Sequence, residues 1–304
     1  MSKKFEVTIL GVNSAFPMHG RHPSCQIVNF DERLYMIDCG EASQIQLVKY
    51  KIKRSKLDHI FISHMHGDHC YGLPGLLTSF ALGGRTETLF LHGPTGIRRF
   101  IDVIIEESRA YLPFELIIKE YDTERINEIE VSSNLKVLTF PMKHRIPTMG
   151  FRFQEIITEY NIDPNVIGQY SLSIEEIKAV KSGGDITRND RIIDNSILIL
   201  IPQASKSYSY CSDTVYDLEL VPYIKDSTLL YHEATYLSGL EDIAGERMHS
   251  TLGQAIDIAK SSNIDKLIVG HYSSRYPDTT VFLDDGISQF PGLLLGIEGK
   301  TYSV

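Results

Sequence analysis

Three histidines and an aspartate fall within six residues in His64-Met65-His66-Gly67-Asp68-His69, directly after the apolar run "LDHIFIS" and shortly before the glycine-proline helix start "GLPGLL". Neutral imidazole and carboxylate oxygen suit zinc or another borderline divalent ion at roughly 2.0 to 2.2 Å. Four such groups on near-adjacent positions would repel one another and lose solvation unless a cation compensates, so the cluster reads as a metal site. Side chains at i and i+2 of an extended chain share a face, which lets His64 and His66 point at one ion, with Asp68 and His69 standing beyond them at the next helix. One ion cannot readily take all four and keep an open position, whereas two can. Further ligands are then expected where other apolar runs end. His144 follows "VLTFPMK", Asp213 follows "SYSYCS" and His271 follows "KLIVG". A lone histidine after a strand is usually a satisfied loop residue, so these two histidines draw their weight from the dense cluster.

The elements that must position these groups are visible as β-branched and aromatic runs: "FEVTILGV", "CQIVNF", "RLYMIDCG", "DHIFISH", "TLFLHG", "LKVLTFPMKH", "SILILIP", "SYSYCSDT", "STLLYHEA" and "KLIVGHYSS". They predict about ten strands. Helical patterns fall at roughly 43 to 53, 72 to 82, 95 to 108, 173 to 181, 216 to 224 and 251 to 262. Mixed hairpin and crossover spacing implies an α/β sandwich with helices outside two sheets. The segment 154–195 breaks the pattern, being polar and turn-rich, and reads as an inserted arm. Its helix carries a capping box, Ser173 with Glu176, and ends at Gly183-Gly184. An arm without a large core of its own is expected to move relative to the body.

At 304 residues and 42% hydrophobic content the chain can bury an ordinary globular core in one domain. A net charge of −9 excludes a protein that coats nucleic acid by charge alone, so a polyanionic partner must meet a local basic patch. Four cysteines, at 25, 39, 70 and 211, have no CxxC spacing and are too few for a disulfide scaffold. With no run of eighteen apolar residues and no apolar leader, a cytoplasmic protein is expected.

HxHxDH with a distant His, Asp and His resembles the metallo-β-lactamase superfamily. The longer pattern, "IDCGEASQIQL", "SHMHGDHCYGLPGLL", "HEAT" at 232–235, "HST" at 249–251 and "VGHYSSRY" at 269–276, resembles ribonuclease Z, the endonuclease that processes tRNA 3' ends. The similarity spans about residues 5 to 276. It implies a four-layer αββα sandwich with a protruding tRNA-binding arm, and two zinc ions per subunit. His64, His66 and His144 would hold one ion, Asp68, His69 and His271 the other, and Asp213 would bridge. Such a pair activates water and clamps the entering and leaving oxygens of an in-line displacement at phosphorus. The resemblance marks Asp68 as proton acceptor and favours Glu233 with His249 as the pair that protonates the departing 3'-oxygen. It also implies removal of the 3' trailer of precursor tRNA, leaving a 3'-hydroxyl on the tRNA and a 5'-phosphate on the trailer, by a homodimer.

For RNA, the basic residues nearest the proposed centre are Lys143 and Arg145, flanking His144, and Arg275 in "HYSSRY"; phosphate contacts there would position the acceptor stem. The group "KYKIKRSK" at 49–56 and Arg98-Arg99 read more readily as solvated surface. Segment 154–195 departs from the family pattern, with eight acidic residues against four basic ones and no glycine-proline dipeptide. The metal ligands alone do not separate a nuclease from a general zinc phosphodiesterase or from a lactonase or lactamase, since activated water can attack either kind of centre. A scaffold that has lost catalysis would be expected to lack ligands, and the sequence retains all seven.

Overall fold

In the strand Leu57–Phe61 alternate side chains serve two different layers. Ile60, with Ile62 just beyond, joins Leu47, Leu73, Leu76 and Ile97 of three neighbouring helices in one buried apolar cluster. Phe61 faces the other way, where its ring meets Phe151 and Phe153 edge-on at 5.5 and 5.4 Å. A strand apolar on both faces requires cover on both, which is how helix, sheet and second sheet come to be stacked here. The computed structural model describes residues 4–157, 160–188, 191–200 and 205–304.

The strands are β1 (Phe5–Gly11), β2 (Cys25–Phe30), β3 (Arg33–Ile37), β4 (Leu57–Phe61), β5 (Leu89–Pro94), β6 (Leu116–Tyr121), β7 (Asn127–Ser132) and β8 (Leu135–Met142). They continue as β9 (Thr148–Glu155), β10 (Ile186–Arg188), β11 (Arg191–Ile193), β12 (Ser207–Cys211), β13 (Leu229–Glu233), β14 (Leu267–Gly270), β15 (Leu293–Leu295) and β16 (Thr301–Ser303). One sheet runs β16-β1-β2-β3-β4-β5-β6, the other β15-β14-β13-β12-β9-β8-β7, and β10 pairs with β11 alone. Strands β3 to β6 are mutually parallel, as are β12 to β15, so each set ends on one edge. Helices Ser43–Lys49, Leu73–Leu82 and Ile97–Ser108 cover the first sheet, and Leu252–Ser261 and Thr280–Gly286 pack on the second. The result is the αββα sandwich that the sequence predicts.

All six expected helices are present with trimmed ends, the one at 216–224 being a 3-10 turn, Leu218–Leu220, followed by the short helix Val221–Ile224. The run "SILILIP" differs from its expected strand: Asn195–Ile197 is a 3-10 turn and Leu198 is buried, while 201–202 lie outside the described residues.

By packing, the chain divides into Met1–Ile129, Val137–Phe153 and Ser207–Val304 on one side, and Glu130–Lys136 with Gln154–Lys206 on the other. The smaller unit holds helices Pro164–Tyr170 and Ile174–Lys181 and a buried cluster of Ile162, Val166, Leu172, Val180, Ile186 and Leu198. Both bonds of the expected capping box form, Glu176 N–H to Ser173 Oγ at 3.2 Å and Ser173 N–H to Glu176 Oε2 at 2.8 Å. Glu155 N–H donates to the Lys206 carbonyl at 3.0 Å, so this segment leaves and returns at adjacent points. Of its basic residues, Arg188 is held by Glu176 at 2.6 Å, while Lys178, Lys181 and Arg191 are exposed; Glu159 and Asp190 lie outside the described residues. Among the described residues no helix is long and apolar enough to cross a membrane.

The turn after β3 receives the loop that carries the histidine cluster. Cys39 N–H donates to the His69 carbonyl and Gly72 N–H to the Cys39 carbonyl, both at 2.8 Å. This contact leaves no room for a side chain at Gly72, where a Cβ would fall 2.1 Å from the Gly40 carbonyl oxygen. Gly72→Ala should therefore lower Tm by roughly 5 °C or more through backbone displacement. Gly245→Ala, in helix Glu241–Arg247 with open space around it, should leave Tm unchanged or slightly raised. Thermal melts of the two variants followed by circular dichroism check the contrast.

Candidate metal centre

The C-terminal ends of strands from both sheets deliver the site, the place where parallel sheets usually offer crevices for ligands. Asp38 directly follows β3, His64 and His66 follow β4, and the short helix Gly67–Cys70 carries Asp68 and His69. His144 and Asp213 each stand two residues beyond β8 and β12, Glu233 is the last residue of β13, and His271 directly follows β14. All seven residues expected to bind metal converge.

They converge as two groups that share Asp213, His64-His66-His144-Asp213 and Asp68-His69-Asp213-His271, with ligand atoms inside each group within 4.8 Å of one another. In the first, His66 Nδ1 is 3.0 Å from His64 Nε2 and 3.2 Å from His144 Nε2, and Asp213 Oδ2 is 3.7 and 3.8 Å from the same two nitrogens. In the second, Asp213 Oδ1 is 3.3 Å from His69 Nε2 and 3.2 Å from His271 Nε2, and Asp68 Oδ2 is 3.7 and 3.4 Å from them. Four donors around an ion at roughly 2.0 to 2.1 Å in tetrahedral geometry lie about 3.3 Å apart, the middle of these separations. Asp213 is 2% exposed and its Oδ1 has no hydrogen bond. A buried carboxylate oxygen in that condition is strongly destabilising unless a cation neutralises it. The residues present fit two divalent ions.

A layer of contacts orients the ligands from behind. His69 Nδ1 lies 2.7 Å from Asp38 Oδ2, which also accepts from the Tyr210 hydroxyl at 2.6 Å and the Ser63 hydroxyl at 2.9 Å. His64 Nδ1 meets Ser63 Oγ at 3.0 Å, His144 Nδ1 the Met248 carbonyl at 2.8 Å, and His271 Nδ1 the Thr235 hydroxyl at 2.9 Å. Asp38 and His271 adopt φ of +55° and +60°, a left-handed conformation uncommon outside glycine that such a network can enforce.

Burial lowers the pKa of His64, His66 and His144 and keeps them in the neutral, ligating form. His69 goes the other way: burial opposes the charge, but the carboxylates of Asp213, Asp38 and Asp68 outweigh it and raise the pKa well above the usual range. A metal cation among the same carboxylates would take over what a proton does there.

Beside the second group, Glu233 is fully buried and His249 Nδ1 lies 2.8 Å from its Oε1. Glu233 also accepts from Thr214 N–H at 3.0 Å, Thr235 N–H at 3.1 Å and the Thr235 hydroxyl at 2.7 Å. Burial works against charge on His249, yet the Glu233 carboxylate prevails and lifts its pKa to about 9. At neutral pH this imidazole carries a proton to give.

His66, Asp68, His144, Asp213, His249 and His271 line a cleft of about 590 Å³ that also includes Phe16, Tyr71, Arg145 and Arg247. The three proposed phosphate contacts are placed differently from one another. Arg145 lines the cleft, donating from Nη2 to the Arg247 carbonyl at 3.1 Å. Lys143 is turned away, paired with Asp217 at 3.2 Å and Glu219 at 2.7 Å in a neighbouring cleft of about 630 Å³. Arg275 lies 4.9 Å above the Tyr236 ring and outside the lining. Sequence reading did not single out Asp38, Thr235 or Arg247. The first two sit inside quoted motifs, "IDCG" and "HEAT"; nothing local marks Arg247.

Comparison with known proteins places this geometry. A family model described as Anti-Pycsar protein Apyc1 matches residues 5–96, less than a third of the chain. Ribonuclease Z of Phocaeicola vulgatus is 37% identical over 99% of this chain and 98% of its own length. The crystal structure of short-form human tRNase Z superposes with a TM-score of 0.71 at 25% identity, covering 98% of this chain and 99% of that one. The metallo-β-lactamase fold protein YhfI from Bacillus subtilis, 16% identical, shares the architecture with a TM-score of 0.69 over 99% of this chain and 100% of its own. With full-length similarity of this kind, the chain belongs to the ribonuclease Z family, endoribonucleases of the metallo-β-lactamase fold.

Proposed function

We propose that this protein is a zinc-dependent endoribonuclease that removes the 3' trailer of precursor tRNA, leaving a 3'-hydroxyl on the tRNA and a 5'-phosphate on the trailer. The observation that carries the reading is the convergence of two donor groups on Asp213 with the Glu233–His249 pair beside them. His64, His66 and His144 with Asp213 would hold one zinc, and Asp68, His69 and His271 with Asp213 the other. Bound there, the ions supply Lewis acidity toward a water and toward the phosphate, offsetting charge on both.

The chain's own groups move the protons. Every hydrogen bond and ion pair of Asp68 among the described residues is made by Oδ2, including the one from Ala15 N–H at 2.8 Å, which leaves Oδ1 to accept the proton of the attacking water. Burial opposes its ionisation, but His69 holds it well below the usual carboxylate range, so it stays a carboxylate at neutral pH. His249, with Nδ1 fixed by Glu233, presents Nε2 for the departing 3'-oxygen. Arg145 supports contact with substrate phosphate from within the cleft, while Lys143 and Arg275 would have to leave their present partners to join it. We further propose a cytoplasmic homodimer, for which the exposed Ile45 and Val48 of helix Ser43–Lys49 offer apolar surface. The inserted unit is proposed to grip the tRNA, with Lys178, Lys181 and Arg191 as its exposed cations.

A general phosphodiesterase would show comparable turnover on precursor tRNA and on a nitrophenyl phosphodiester, whereas this reading requires a strong preference for the RNA, cut at one position. Gently purified protein should contain about two zinc ions per chain by elemental analysis, and chelation should abolish cleavage and lower Tm, both restored by zinc. His249→Ala should slow single-turnover cleavage of precursor tRNA by roughly 10² to 10³-fold. The same variant should lose less than about tenfold on the nitrophenyl diester, whose leaving group departs without a proton; equal losses would remove His249 from the acid role. Replacing 157–204 by a short glycine-serine linker between the paired residues Glu155 and Lys206 should raise KM for precursor tRNA by at least about tenfold while leaving diester hydrolysis nearly intact.

A further inference from the structure

Phe16 and Tyr71 both line the metal cleft and are 46% and 64% exposed, an unusual setting for two large rings so close to buried charge. The backbone of each is tied to the site. The loop bearing Phe16 is tied down by the buried Asn13, whose Nδ2 donates to the Phe16 carbonyl at 2.7 Å and whose Oδ1 accepts from Arg21 Nε at 3.0 Å. Ala15, at φ +64°, gives its N–H to Asp68 Oδ2, so the residue before Phe16 is anchored on a candidate metal ligand. Tyr71 reaches Asp68 along the chain: its ring lies over Gly67, where a Cβ would fall 2.5 Å from it, and stacks on Phe100 at 6.2 Å. The Tyr71 hydroxyl makes no hydrogen bond with any described residue, so the position is defined by the ring.

Flat rings presented at a phosphodiester-cleaving centre are platforms for bases, since every base offers a π-face whatever its sequence. A base can occupy such a platform only when its strand is unpaired there. Arg145 and Arg247, lining the same cleft, supply cations for the flanking phosphates. We infer that Phe16 and Tyr71 are stacking platforms for the nucleotides on either side of the scissile phosphate, and that this enzyme thereby selects an unpaired strand at the cut without reading its sequence. This rests on the ribonuclease reading above.

The test crosses protein and RNA variants. Precursor tRNAs carrying an abasic nucleotide immediately 5' or 3' of the cut are compared with the intact substrate, using wild type, Phe16→Ala, Tyr71→Ala, Phe16→Tyr and Tyr71→Phe. Each alanine variant should lose roughly tenfold in kcat/KM on intact RNA, the scale of one stacked base, while the aromatic replacements stay within about twofold of wild type. Zinc content by elemental analysis and Tm should be unchanged in all four. An abasic site should penalise wild type by a similar factor, and that penalty should disappear in the matching alanine variant. Penalties that multiply instead of disappearing overturn the inference, as does loss of zinc or a lowered Tm in the alanine variants, which would make the rings structural. If wild type hydrolyses the nitrophenyl diester but leaves precursor tRNA uncut, the ribonuclease reading itself fails and this one with it.

Discussion

One buried carboxylate ties the two donor groups together. Asp213 faces His64 and His144 with Oδ2 and His69 and His271 with Oδ1, so neither group exists without it. Asp213 follows β12 and its partners arrive after β4, β8 and β14, elements of both sheets, and the packing between sheets has to set their ends within a fraction of an ångström. The interlocked rings of Phe61, Phe151 and Phe153 between the layers supply that rigidity. Left-handed backbone at Asp38 and His271 is tolerated for the same reason, because the surrounding bonds over-determine both positions.

The same constraint shapes how an acidic protein meets a polyanion. With the Asp68 and Asp213 carboxylates lining it, the cleft floor is negative, and a phosphodiester could not approach it without compensating cations. The net charge of −9 makes the point general for the whole surface. Recognition therefore has to be local, through bound cations, a protonated His249, the guanidinium groups at the cleft and contacts that carry no charge. Exposed rings belong to the last kind, which is why an acidic ribonuclease gains more from them than a basic one would.

What was legible in the sequence was whatever depends on near neighbours. His64 to His69 announce a metal site because their density is intolerable otherwise, and Ser173 with Glu176 announce a helix start that forms both capping bonds. Contacts far apart in sequence were not legible. Strand β9 is interrupted in pattern by Gly150, yet glycine is required there because a Cβ would fall 2.2 Å from the Phe140 ring. The apolar run at 196–200 looks like a strand but begins as a turn, since Asp194 accepts from Ser196 N–H, Asn195 donates to the Val180 and Gly184 carbonyls, and Leu198 completes the smaller unit's own core. Lys143 and Arg145 flank the same ligand and looked equivalent; Asp217 and Glu219, more than seventy residues on, claim the first and leave the second in the cleft. Asp38 gave no local sign that it would hold His69.

Proton bookkeeping joins the proposed acid to the ligand set. The Thr235 hydroxyl has one proton, and in donating it to Glu233 it can only accept from His271 Nδ1–H, which leaves the His271 Nε2 lone pair facing Asp68 and Asp213. The Ser63 hydroxyl does the same for His64 by donating to Asp38, and the Met248 carbonyl forces the same tautomer on His144. Three of the ligating imidazoles thus present Nε2 because a single oxygen behind each admits only one arrangement. Through Thr235 the charge on Glu233 fixes the tautomer of His271 while its other oxygen holds the proton on His249. The group that would sustain the proposed leaving-group protonation and the group that orients His271 are therefore one carboxylate, and a hydrolase that kept the seven proposed ligands but lost Glu233 would lose both the proposed acid and the alignment of its last proposed ligand.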